Sequence, residues 1–321
     1  MPNVLLVLTL PEAIRNRYRD RIAAVSDDLT VDVVDHHSKV DGYIANADIL
    51  VTFGPMMSDR VFADAKRLKW VQALGSGVDG ITDQPSLPSG VIVTNIRGIH
   101  GAPVAEAALA AMLALARDLP RALRAQRKHA WERAPARTLD GKTVVIVGVG
   151  LISEALAPRC KALGMQVVGV SSTPRDIPGF DRILLRDALL EGVAEADHLV
   201  LLAPHTPETH HMIDARVIAT MKPTSFLINL ARGGVVDETA LVDALRRGRI
   251  AGAALDVFTT EPLPSDNPLW DMDNVIITPH LGGFFDEYPD YALPVIEHNL
   301  RSYLAGDRAD MINLVQGQDI P

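Results

Sequence analysis

Residues 143–171 read T-V-V-I-V-G-V-G-L-I-S-E-A-L-A-P-R-C-K-A-L-G-M-Q-V-V-G-V-S, and this stretch decides the fold. Its first five residues, Thr143 to Val147, are all β-branched and suit a buried strand. Gly148, Val149 and Gly150 follow at once. Leu151, Ile152 and the run from Glu154 to Leu163 suit a helix, after which M-Q-V-V-G-V returns to a strand. A bare glycine pattern carries little weight. A strand, glycine turn, helix and second strand in this order form the frame of a dinucleotide-binding unit. Gly148 permits the tight turn, Gly150 lets a pyrophosphate approach the backbone, and the amides at the helix start favour the anion. The fingerprint's third glycine is replaced by Ser153, which is small enough for helix and strand to pack and is able to cap the helix.

The end of the second strand decides the cofactor's ribose. A carboxylate there would accept from a free 2′-hydroxyl and repel a 2′-phosphate. The chain instead offers Ser171, Ser172, Thr173, Pro174 and Arg175. Hydroxyls with an arginine suit a phosphate, so NADP is the expected preference, with NAD as the second cofactor.

Working outward, apolar runs alternate with helical ones on both sides. V-L-L-V-L-T-L, L-T-V-D-V-V-D, A-D-I-L-V-T-F, W-V-Q-A-L and V-I-V-T-N precede residue 100, with a helix expected over 59–68. D-H-L-V-L-L-A-P, S-F-L-I-N-L-A, G-A-A-L-D-V-F and V-I-I-T-P-H follow the glycine turn. This alternation predicts parallel sheets covered on both faces, and 321 residues exceed what one core usually holds. Two α/β domains are expected. An Ala- and Leu-rich segment from Pro103 predicts one long helix, kinked near Pro120. The polar stretch after it contains Trp131, readable as a dimer anchor or a covered aromatic.

Three of the later runs end on residues with chemistry: Arg232 after F-L-I-N-L-A, Glu261 after A-A-L-D-V-F-T-T, and His280 after V-I-I-T-P. Singly, each has an ordinary role as a surface arginine, a turn glutamate or a strand-end histidine. Together they sit beyond strand carboxyl ends, where open α/β sheets place ligands. A cation for a carboxylate, a carboxylate for an imidazole, and an imidazole that exchanges a proton are the requirements of reversible ketone/alcohol chemistry on an acid.

The balance of 31 Lys+Arg against 40 Asp+Glu, formally -9, argues against nucleic acid or acidic membranes as partners. The N-terminal apolar run is too short to span a bilayer, and the single Cys160 points to packing and a reducing, cytoplasmic setting. No metal site is expected.

The ordered motifs A-L-G-S-G-V-D-G, V-A-E, G-V-G-L-I-S, L-L-A-P-H-T-P-E-T, I-N-L-A-R-G-G-V-V-D-E, A-L-D-V-F-T-T-E-P-L-P and T-P-H-L-G-G run across nearly the whole chain. In this the sequence resembles the D-isomer-specific 2-hydroxyacid dehydrogenases, particularly the glyoxylate/hydroxypyruvate reductase group. It departs from them at Ser153 and at Ser171, where NAD-dependent members usually carry aspartate. The resemblance implies two doubly wound parallel-sheet domains. Residues 1–100 plus 287–321 would form a flavodoxin-like substrate domain, and 101–286 an inserted Rossmann domain, with the active site in the cleft between them and a homodimer as the assembly.

By the same resemblance Arg232, Glu261 and His280 would be catalytic. Arg232 would hold the 2-oxo acid carboxylate, with the backbone amides of Ser76, Gly77 and Val78 taking the remaining charge. His280 would exchange the proton, and Glu261 would orient its ring and stabilise its charge. Cofactor contacts would come from Gly148 to Ile152, Ser171 to Thr173, Arg175, Pro204, Thr209, Ala231, Asp256 and Gly282, with Asp256 on the nicotinamide carboxamide. Substrate-lining loops are expected over 53–57, 74–77 and 284–288. A dinucleotide-sensing regulatory protein on the same fold is the competing expectation. Glu261 stands where formate dehydrogenases carry glutamine, and Ser171 fits phosphoglycerate dehydrogenases less well.

Overall fold

The computed structural model describes residues 1–54 and 57–316; Pro55 and Met56, within the expected pocket loop, lie outside the described residues. The chain forms two compact units, Met1–Ile99 with Asp286–Pro321, and His100–Phe285.

In the first unit, β1 (Asn3–Val7), β2 (Thr30–Val34), β3 (Ile49–Thr52), β4 (Trp70–Ala73) and β5 (Ile92–Thr94) pair in parallel in the order 5-4-3-1-2. That is the doubly wound, flavodoxin-like order. A sixth strand, β13 (Leu314–Gln316), adds antiparallel to β5. The sheet is therefore mixed at one edge, which the sequence did not foretell. Helix α1 (Glu12–Ala23) packs against α9 (Tyr288–Leu304). A buried polar network stitches α9 to the sheet. Trp70 Nε1 donates to Thr94 Oγ1, whose hydroxyl donates to Gln72 Oε1, and Asn299 Nδ2 donates to the same oxygen. All four residues are fully buried, so each unmade bond would cost desolvation without return.

In the second unit, β6 (Thr143–Val147), β7 (Gln166–Ser171), β8 (Arg182–Leu185), β9 (His198–Leu201), β10 (Phe226–Asn229), β11 (Gly252–Leu255) and β12 (Val275–Ile277) form one parallel sheet, ordered 12-11-10-9-6-7-8. The order reverses between β6 and β9, the switch point of a Rossmann sheet. Side chains alternate across the strands. Val145 and Val147 join Val168, Leu199 and Leu227 on one face, while Val144 and Ile146 meet Val167, Val200 and Ile228 on the other. Both faces are dry, which explains uninterrupted apolar runs rather than alternating ones.

The expected long helix is two: α3 (Gly101–Ala116) and α4 (Leu119–Arg127). The break falls at Arg117 and Asp118, where Asp118 turns left-handed (φ 51°), and Pro120 sits in the first turn of α4, where its missing N–H costs nothing. The helix expected over 59–68 is shorter, α2 (Asp59–Asp64). Cys160 lies on α5 (Leu151–Ala162) inside the apolar cluster under α3, and burial pushes its thiol up to about 12. It packs rather than reacts. Among the described residues no helix is long and apolar enough to cross a membrane.

His198, at the start of β9, is buried against the Phe226 ring, and desolvation depresses its pKa from 6.5 to about 4. The folded protein thus excludes a proton that the unfolded chain takes up as pH falls below 6.5. This group leaves stability unchanged above that pH and costs progressively down to about pH 4, in total roughly 3 kcal/mol. Burial pushes the Asp197 carboxyl up, but the Thr143 amide hydrogen bond and the Lys222 pair outweigh it and hold the group below the usual carboxylate range, so its loss comes at lower pH. Urea unfolding of wild type and His198→Gln at pH 7 and pH 4.5 checks this. A wild-type midpoint that falls no more than the variant's would contradict it.

Candidate active site

In the second unit the carboxyl ends of the strands carry, in order across the sheet, most of the residues singled out above. Gly148 follows β6 directly; its φ of +104° and a would-be Cβ only 2.4 Å from the Ala203 amide nitrogen exclude any side chain. The turn after β6 is thereby pressed onto the chain leaving β9. At Gly150 the reverse holds: a Cβ would meet nothing within 4 Å, so the backbone at the start of α5 faces open space. Ser153 caps the helix, as its Oγ accepts from the Gly150 amide and donates to the Gly150 carbonyl, both at 2.8 Å. Gly150's own N–H is thus used internally. Leu151 and Ile152, in the first turn, have no carbonyl four residues back within the helix. A glycine with open space before it and two such amides fit a pyrophosphate.

Ser171 ends β7 with its side chain buried, its Oγ accepting weakly from the Thr173 amide at 3.3 Å. Ser172, Thr173 and Arg175 are exposed, and Arg175 lies 3.8 Å from Glu154 in a loose ion pair. Thr209 is buried and closes its own loop, donating to the Pro204 carbonyl at 2.6 Å and accepting from the Thr206 amide at 2.7 Å.

Beyond β10, Asn229 is fully buried and holds the turn by accepting from the Ala231 amide and donating to the Arg232 carbonyl. Arg232 Nη1 donates to the Ala231 carbonyl at 2.7 Å. The next residue explains the A-R-G-G spelling: a Cβ on Gly233 would lie 1.9 Å from the Phe258 carbonyl carbon. Only glycine lets the arginine turn meet the loop that carries Glu261 backbone to backbone. There Glu261 Oε1 accepts from the Phe258 amide at 2.9 Å, and Oε2 is 2.7 Å from His280 Nδ1. Burial pushes the Glu261 carboxyl up, but the His280 hydrogen bond, the Phe258 amide and the Arg232 charge outweigh it and hold the group below the usual carboxylate range. Glu261 is a fixed anion behind the imidazole.

Asp256, at the end of β11, is buried and engaged on both oxygens. Oδ1 accepts from Thr278 Oγ1 at 2.5 Å and from the Leu281 amide at 2.8 Å, and Oδ2 from the Gly282 amide at 2.8 Å. It is the clasp of the His280 loop. His280 itself takes a left-handed backbone (φ 54°), its amide donating to the Asp256 carbonyl at 2.8 Å, so the clasp stabilises an unfavourable conformation where the imidazole is presented. His100, at the head of α3, is a buried imidazole that sequence reasoning passed over. Burial foremost, and then the nearby Arg232 charge, depress its pKa to about 4, and its Cδ2 would sit 3.0 Å from a Cβ on Gly283. Among the described residues no cluster of three or more His, Cys, Asp or Glu is arranged for a metal ion.

In the first unit Ser76, Gly77 and Val78 form the turn after β4, with Ser76 exposed. Tyr288, expected to line a pocket, is buried, its hydroxyl donating to the Leu74 carbonyl.

Residues 109–282 match the family described as D-isomer specific 2-hydroxyacid dehydrogenase, NAD binding domain. The chain is 36% identical over 282 residues to the D-3-phosphoglycerate dehydrogenase of Methanocaldococcus jannaschii, covering 87% of this chain and 53% of that protein. It is 35% identical over 277 residues to the glyoxylate reductase of Pyrococcus furiosus, 82% of this chain and 81% of that protein. A D-isomer specific 2-hydroxyacid dehydrogenase from Xanthobacter autotrophicus Py2, solved with NADPH and MES, superposes with a TM-score of 0.81 at 33% identity, covering 98% of each chain. The chain belongs to the D-isomer specific 2-hydroxyacid dehydrogenase family, and its second unit is the family's NAD-binding Rossmann domain. It spans about half the length of the phosphoglycerate dehydrogenases it matches.

Proposed function

We propose that this chain reduces small 2-oxo acids of the glyoxylate/hydroxypyruvate type to D-2-hydroxy acids, reversibly. The carrying observation is the 2.7 Å contact of Glu261 with His280 Nδ1, with the Arg232 charge felt at the same carboxylate. Because Nδ1 is taken, the other ring nitrogen, Nε2, is the atom that exchanges a proton with the substrate oxygen. Glu261 fixes the ring and offsets the charge it carries before donation. Arg232 binds the substrate carboxylate through a planar, permanently charged fork and polarises the adjacent keto group. The turn of Ser76, Gly77 and Val78 in the first unit is proposed to offer backbone amides to a substrate carboxylate. A nicotinamide dinucleotide, when bound, supplies the hydride for C2 of the acid.

NADP is the proposed preferred cofactor, with NAD the second, supported by Ser172, Thr173 and Arg175 and by the absence of a carboxylate at Ser171. The related Xanthobacter protein holds NADPH. Glyoxylate-type substrates are supported by the P. furiosus glyoxylate reductase, which this chain matches over most of both lengths. Initial rates with glyoxylate, hydroxypyruvate, pyruvate and bulkier 2-oxo acids, each with NADPH and NADH, are expected to be highest for the first two with NADPH. D-3-phosphoglycerate with oxidised cofactor forms the comparison arm. An advantage for NADH would overturn the cofactor assignment. Turnover with none of the acids would favour the dinucleotide-sensing regulatory reading.

A homodimer is part of the proposal, supported by Leu113, Leu119 and Leu123 exposed on α3 and α4 and by Trp131, 94% exposed beyond them. Sedimentation of wild type against Trp131→Asp tests it, and a wild-type monomer would contradict it. The cytoplasmic assignment rests on one cysteine, buried and unable to form a disulfide within the chain, and detection of the protein in an oxidising compartment would contradict it.

A further inference from the structure

The turn after β4 is pinned by its carbonyls, and this pinning decides where its amides point. Leu74 O accepts from the Tyr288 hydroxyl, Gly75 O from the Ile96 amide at 3.0 Å, and Ser76 O from Asn95 Nδ2 at 2.7 Å. Asn95 is itself fixed, its Oδ1 accepting from the Arg97 amide at 3.0 Å, and both Asn95 and Tyr288 are buried. A trans peptide unit carries its C=O and the following N–H in opposite directions. These units are trans, as the chain's one cis bond among the described residues is Glu261-Pro262. With the Gly75 and Ser76 carbonyls drawn toward β5 and the loop after it, the Ser76 and Gly77 amides must face the other way. No described residue accepts from either amide, and Ser76 is exposed. Two adjacent amides aimed outward form a small anion-binding concavity.

We infer that Asn95 and Tyr288 are positioning residues, which touch no substrate and act by aiming the Ser76 and Gly77 amides at the substrate carboxylate. Asn95 orients the Gly77 amide directly. Tyr288 fixes the base of the turn from α9, so that a helix far along the chain sets the geometry of a turn near its beginning. The inference rests on the proposed carboxylate role of this turn and adds what holds it in place.

The test uses the full chain saturated with NADPH and titrated with oxamate, an unreactive analogue of a 2-oxo acid, with amide resonances followed by NMR. In wild type the Ser76 and Gly77 resonances are expected to shift on saturation. Tyr288→Phe and Asn95→Ala are each expected to raise the oxamate Kd and the 2-oxo acid KM about fivefold to tenfold, with kcat and the NADPH Kd within about twofold of wild type. Thr94→Val is the control. It removes a buried hydroxyl from the same sheet and lowers Tm without moving KM. Variants with wild-type Kd and KM, or a Thr94→Val variant whose KM rises as much as theirs, would overturn the positioning role alone. Wild-type Ser76 and Gly77 amides indifferent to oxamate would overturn the carboxylate role of the turn and the inference with it.

Discussion

Replacing His280 by alanine is expected to lower kcat by about 10²- to 10⁴-fold, the usual contribution of a positioned general acid. The dinucleotide Kd should stay near its wild-type value. The separation follows from the geometry: the imidazole hangs from a loop clasped by Asp256, whose three hydrogen bonds come from Thr278 Oγ1 and the backbone amides of Leu281 and Gly282. Removing the ring leaves that clasp intact, and the glycine turn follows β6, three strands away from β11 in the sheet. Intrinsic fluorescence or calorimetric titration gives cofactor binding, and rapid-mixing kinetics gives the chemical step. Wild-type turnover in the variant would remove His280 from the chemistry. A variant that loses cofactor binding as well would mean that the ring, rather than the clasp, shapes the loop.

Arg232→Ala should be at least as damaging to kcat/KM, by about 10³-fold or more, because in its proposed role the planar cation would hold the carboxylate and polarise the ketone, acting in the ground state and in the transition state. KM is expected to rise and kcat to fall together. Arg232→Lys should recover only part of the loss, since a single ammonium cannot reproduce a two-point fork. The Ala231 and Arg232 backbone is held by Asn229 and by the Gly233 contact with Phe258, so the substitutions remove the charge without releasing the turn. Partial rescue of Arg232→Ala by added guanidinium ion is the sharpest check. Kinetics indistinguishable from wild type would dismiss the residue as a surface arginine.

Much of this was legible before any coordinates. The apolar run into Gly148 marks the glycine turn, and Arg232, Glu261 and His280 stand out as candidates because each follows an apolar run that forms a strand of the sheet, though β12 before His280 is only half-buried. Other features were hidden for identifiable reasons. β8 is a half-exposed edge strand, R-I-L-L, with too little burial to stand out, and β13 is a short antiparallel addition from the far end of the chain. The break between α3 and α4 depends on a left-handed Asp118 inside a segment whose composition favours helix throughout. Asp256 and Gly233 owe their roles to partners about 22 to 26 residues away, and the Asn95 and Tyr288 clamp spans most of the chain. Periodicity reports which face a residue takes; it does not report which carbonyl a buried side chain will meet.

The most direct test is the chemical and chiral identity of the product when wild type and His280→Ala are incubated with NADPH and hydroxypyruvate or longer 2-oxo acids, whose reduced C2 is a stereocentre; glyoxylate, whose product is achiral, reports only the amount formed. Wild type is expected to form one D-2-hydroxy acid for each NADPH oxidised, and the variant to form the same acid about 10²-fold or more slowly. An L-acid, or equal product from both proteins, would contradict the proposal.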